Sequence, residues 1–79
     1  MQMLYLTTVG SSDPTRASVP LHLAVNGSVE AGQDVSVVLV GDASELLKSA
    51  IRDRVAGLGV PPVRDLFAKM RQHEVPVYV

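Results

Sequence analysis

The run Val35-Ser36-Val37-Val38-Leu39-Val40 constrains this chain more than any other segment. It is β-branched and almost continuously apolar, too short for a helix, and closed by Gly41. Such a run reads as a strand of a parallel sheet with cover on both faces. Parallel strands need crossover connections, so the flanking segments should be helical. Met3 to Val9 is a second short apolar run, ending at Gly10, and Val75-Pro76-Val77-Tyr78-Val79 is a third.

The segments between these runs carry helix signals. Asp13 stands where an N-cap is needed, and Pro14 suits a first helical position. Ala17, Leu21, Ala24, Val25 and Ser28 then recur at helical spacing, while Val19, Leu23 and Val29 widen the apolar surface to more than one side. This helix should run to about Ala31, with Gly32 as its C′ residue and a kink at Pro20. Asp42 and Glu45 resemble a capping box for a second helix, with Ala43, Leu46, Leu47, Ala50 and Ile51 on one face and an end by Gly57. Pro62 opens a third helix, in which Val63, Leu66, Phe67 and Met70 follow the i, i+3, i+4, i+7 pattern. Asp65 and Lys69 should pair across one turn of it.

The order strand, helix, strand, two helices, strand predicts one α/β domain with a parallel sheet and right-handed crossovers. The expected strand order is 2-1-3. The third run ends on an apolar strand, from which the chain is expected to be one piece of a longer domain, truncated on its C-terminal side.

Composition narrows the function. Seven Lys+Arg stand against eight Asp+Glu, a formal charge of −1, which gives no basic face for nucleic acid. At 79 residues one domain with a marginal core is all that fits. Zero cysteines exclude a disulfide, a Cys-based zinc site and a thiol nucleophile within the chain. The start Met1-Gln2-Met3-Leu4-Tyr5-Leu6 has no basic region of a signal peptide, and no apolar stretch approaches the roughly 18 residues of a membrane span. A cytoplasmic protein with no membrane contact is the expectation.

Open parallel sheets bind ligands beyond the carboxyl ends of their strands, where strand order reverses. In a 2-1-3 sheet one lip of that crevice is the loop from Gly10 to Arg16. Ser11, Ser12 and Thr15 offer hydroxyls, Asp13 a cap, and Arg16 a cation beside a helix N-terminus. Together they could face an anion or a thiolate, or serve only as helix capping. Asp42, at the second strand end, is a further lip and most simply an N-cap. One glycine in the first loop cannot carry a dinucleotide or P-loop motif. His22 and His73 stand at no metal-ligand spacing, so neither a metal nor a cofactor is expected. Ser11, His22 and Asp42 form a triad only on paper. Tyr5 and Tyr78 could meet only if they share a sheet face.

Several stretches resemble DsrE/DsrF-like proteins. They are Met3-Leu4-Tyr5-Leu6-Thr7-Thr8 with Asp13-Pro14-Thr15-Arg16-Ala17, Val38-Leu39-Val40-Gly41-Asp42-Ala43 with Glu45-Leu46-Leu47, and Gly59-Val60-Pro61-Pro62-Val63-Arg64-Asp65-Leu66 followed by Val75 to Val79. The resemblance implies a three-layer sandwich of the flavodoxin/Rossmann-like, DsrE type. It implies a homo-oligomer, a sulfur-relay partner, and persulfide transfer on a cysteine just after the third strand. This chain holds no such cysteine, so the expectation is a sulfur-relay or sulfurtransferase-like fragment that is inactive as written. The alternative is a non-catalytic α/β module for oligomerisation or anion binding, complete at this length.

Overall fold

A computed structural model describes residues Gln2 to Val79. Strand β1 spans Gln2–Thr7, helix α1 Pro14–Leu23, strand β2 Asp34–Leu39, helix α2 Ser49–Arg52, helix α3 Val63–Gln72 and strand β3 Val77–Tyr78. A π-helical turn, Ala24–Ser28, extends α1, and a 3-10 segment, Gly41–Leu47, follows β2. The fold is therefore mixed α/β with a three-stranded parallel sheet, as the apolar runs require.

The strand order corrects the expected 2-1-3. It is β1-β2-β3, with β2 central and β1 at an edge. Gln2 to Thr7 pair in register with Asp34 to Leu39, and Val37 and Val38 pair with Val77 and Tyr78. Two successive right-handed crossovers that step in the same direction lay both connections on one face of the sheet. Burial agrees. Along β1 and β2 the residues Thr7, Val35, Val37 and Leu39 are buried, with Met3 and Tyr5 half-buried beside them. Their neighbours Leu4 and Leu6 point the other way and are 64% and 50% exposed. The expectation that β2 is covered on both faces fails for the same reason. Val37 is buried, whereas Ser36 and Val38 on the opposite face are half-buried.

The core lies between that covered face and the helices. Leu21, Ala24 and Val25 from the first helical segment meet Val63, Leu66, Phe67 and Met70 from α3, above Val35, Val37 and Leu39. All four periodic residues of α3 are buried, as their spacing predicts. The first helix covers only one side. Val19 and Leu23, taken as widening its apolar surface, remain exposed.

The second helix departs most from expectation. No continuous helix runs from Asp42 to Gly57. Residues 41–47 wind as a tight 3-10 segment, Lys48 is extended, and only Ser49–Arg52 are α-helical. Ser44 Oγ donates to the Gly41 carbonyl at 2.8 Å, a local bond that competes with helical pairing. Ala43 and Leu46 are buried, while Leu47 and Ala50 are exposed.

Pro20 stands inside α1, and the winding loosens to π geometry four residues later, where Val29 N–H donates to the Ala24 carbonyl at 2.9 Å. Gly32 follows with φ +78°, the left-handed conformation expected of a residue past a helix end. Asp65 does not pair with Lys69. Its carboxylate stands 3.6 Å from Arg64 Nε, and Lys69 Nζ reaches Glu30 Oε1 at 2.5 Å and Asn26 Oδ1 at 2.6 Å, tying α3 to the first helical segment.

Candidate functional site

The strand-end loops are built from β1 and β2 running parallel. Both strands deliver the chain to the same end of the sheet, so the loop after Thr7 and the segment after Leu39 stand side by side. They touch. Glu45 Oε1 accepts from the Ser11 N–H at 2.5 Å. Gly10 is buried at this junction, and a Cβ there would collide with Glu45 Oε1 and lie 2.6 Å from the Asp42 carbonyl oxygen. The glycine is thus required for close approach and carries no phosphate cradle.

This junction answers the expectation for Ser11, Ser12, Asp13, Thr15 and Arg16. Asp13 caps α1, its Oδ1 accepting from the Arg16 N–H at 3.2 Å. Arg16 Nε stands 3.9 Å from Asp13 Oδ2 on an exposed surface, a pair worth little. Thr15 Oγ1 accepts from the Leu58 N–H at 3.0 Å, and a Cβ on Gly57 would lie 2.7 Å from Thr15 Cα. Thr15 therefore belongs to a packed loop contact. Ser11 and Ser12 are exposed. The backbone donor of Ser11, which an incoming anion would use, is already held by the chain's own carboxylate. The Ser11 backbone N–H, followed by the Ser11 hydroxyl, holds the Glu45 carboxyl below its ordinary range.

Asp42 corrects a second expectation. It lies within the 3-10 segment, whose N-cap is Val40, and no side-chain cap bond forms there. Asp42 is exposed, and Glu45, read as its capping partner, turns instead to Ser11. The crevice expected between strands one and three has no counterpart among the described residues. β1 and β3 lie on opposite sides of β2, and the order does not reverse.

The remaining candidates are separated. His22 Nδ1 lies 3.0 Å from Asn26 Nδ2 one turn along its own helix, so no Ser11-His22-Asp42 relay assembles. His73 ends α3, its backbone N–H donating to the Lys69 carbonyl at 3.1 Å. Tyr5 faces the helices, where its hydroxyl bonds Ser28 Oγ at 2.6 Å, and Tyr78 faces away from them. Among the described residues no three His, Asp or Glu side chains cluster to hold a metal ion, and no helix is long and apolar enough to cross a membrane.

Concavities lie elsewhere on the molecule. One of about 720 Å³ opens at the amino ends of the strands, lined by Gln2, Asp34, His73 and Pro76 among others. Another, about 260 Å³, lies between Leu47, Phe67, Met70 and Val77, with Arg52 stacked 4.9 Å over the Phe67 ring. The first has Ser36 and His73 in its lining, with no hydrogen bond between them among the described residues, and the second holds no such pair.

Sequence reading missed two features of the strand ends. Glu45 carries a capping signal in the sequence, although its place six residues past the end of β2 lets it reach the neighbouring loop. Thr7 was read only as strand. Its hydroxyl is buried and has no hydrogen-bond partner.

The fold and these loops define a small α/β domain whose strand-end loops are closed by internal bonds and whose sheet is bare on one face. No protein-family model, curated protein or solved structure matches the chain.

Proposed function

We propose that this chain is a non-catalytic association module that works through the uncovered face of its sheet. One observation carries the reading. Leu4, Leu6, Val38, Val40 and Tyr78 stand together on the face away from the helices, and all but the half-buried Val38 are exposed. Contiguous apolar patches of a few hundred Å² on a folded domain mark places where something binds. The strand-end loops offer no rival, because their main donor and hydroxyl are already used within the chain.

The test is binding of an environment-sensitive apolar dye. The native chain should enhance its fluorescence, and Leu6→Lys combined with Tyr78→Lys should reduce the signal several-fold with unchanged far-UV circular dichroism. Equal dye binding by the variant sinks the reading.

A second reading is favoured by the motifs that resemble DsrE/DsrF-like proteins. It places the chain in a cytoplasmic, homo-oligomeric sulfur relay, as part of a three-layer sandwich whose second helical layer covers the bare face. The loop Ser11 to Arg16 would then face a persulfide cysteine supplied by further polypeptide. The strand order β1-β2-β3 weighs against it, since that order removes the crevice in which such a cysteine would sit. Sequencing the transcript across the Val79 codon separates the readings. A cysteine codon a few positions downstream supports the relay, and a stop codon there removes its same-chain form.

A further inference from the structure

We propose that the bare sheet face is occupied by the same face of a second copy of this chain, the two sheets stacked about a two-fold axis with their strands antiparallel. This rests on the association reading and names its partner.

The shape comes first. The row Leu6–Val38–Tyr78 crosses all three strands in register, with Leu4 and Ser36 one step below it and Val40 above. Strands β1 and β2 run six residues each and β3 two, so the face presents about 220 Å² of plane, from a strand spacing of about 4.8 Å and a rise of about 3.3 Å per residue. Side chains standing from that plane raise the accessible area, and two such faces make an interface at the small, weak end of the range. The concavity of about 720 Å³ borders this face at its amino end, where Leu4 and Ser36 help line it, and the row Leu6–Val38–Tyr78 lies outside it. That apolar row matches another sheet face, and sheets stack face to face at about 10 Å.

Charge selects the partner. None of the seven Lys and Arg lies on β1, β2 or β3, so the strands themselves offer no cation to an anionic lipid surface. A net charge of −1 gives two copies little reason to repel. The single acidic residue on this face is Asp34, paired with Gln2 at its amino end. Parallel stacking would set the two Asp34 carboxylates over each other. Antiparallel stacking about Val38 sends them to opposite ends, about 25 Å apart, well beyond a Debye length of about 8 Å. The charge pattern therefore also fixes the orientation.

The test uses the full chain in sedimentation equilibrium from about 5 μM to about 1 mM, the regime of a small interface. The mean mass should rise toward twice that of one chain. Leu6→Lys should move the midpoint at least tenfold higher, whereas Leu58→Lys, in an exposed loop off the face, should leave it in place. The absence of native cysteine supplies a second, independent measurement. Val38→Cys, on the axis, should be joined to its copy by a bismaleimide spanning about 10 Å, the sheet spacing, and Asp34→Cys should not. A chain that stays monomeric throughout overturns the dimer, and the association reading survives if its dye signal still depends on Leu6 and Tyr78. A dimer indifferent to Leu6→Lys, efficient cross-linking through Asp34→Cys, or adsorption to anionic vesicles without dimerisation each overturn the proposal.

Discussion

Single side chains at the strand ends decide how this small core closes. The Thr7 hydroxyl is buried with nothing to bond, and such a group costs about 1–3 kcal/mol. Thr7→Val keeps the shape and strand preference while removing the orphan, so it should stabilise the chain by about 1 kcal/mol in urea denaturation. Glu45 acts in the opposite sense. Its pKa is depressed by the Ser11 bond, so its contribution is fully present above the unfolded value and is lost as pH falls through the folded one. Glu30, held down by the Lys69 hydrogen bond and charge, follows the same sign. Melting temperature should therefore fall as pH drops below the ordinary carboxylate range. Glu45→Gln should flatten part of that decline, and an unchanged acid profile would show that the contact contributes nothing in solution.

Elements differ in how far their sequences specify them. Helix α3 was legible because four buried residues keep one period and a proline marks its start. Its end was not. Glu74 takes φ 56° after the helix, a conformation for which glycine is the usual signal. Asp13 was legible because a cap is local chemistry, and the bond to Arg16 N–H exists. Asp13→Ala should cost about 0.5–2 kcal/mol in thermal or denaturant unfolding. Asp42 carries the same local signal and fails, because the hydroxyl of Ser44 and the extended Lys48 break the segment that it should cap. A capping residue predicts a helix only when the next two turns are free to form.

At the scale of the whole molecule, the parallel α/β class followed from the three apolar runs, and the order of the strands did not. Pairing order depends on which way each crossover steps across the sheet, and no residue pattern within a strand encodes that step. The outcome places both crossovers on one side and leaves Leu4, Leu6 and Tyr78 in water. Association of such faces stabilises the folded state by mass action. Melting temperature should accordingly rise with protein concentration in the native chain and lose that dependence in Leu6→Lys. A concentration-independent native melt would argue against self-association.

The Ser11–Glu45 contact makes the chain its own competitor. A carboxylate tethered through the fold acts on that donor at an effective concentration in the millimolar range or higher. A free anion offered at lower concentration meets a position already taken, and selectivity there is a matter of displacement. Fluctuations that release Glu45 would expose the donor only briefly, so the occupancy of this loop by any solute is governed by the lifetime of an internal bond.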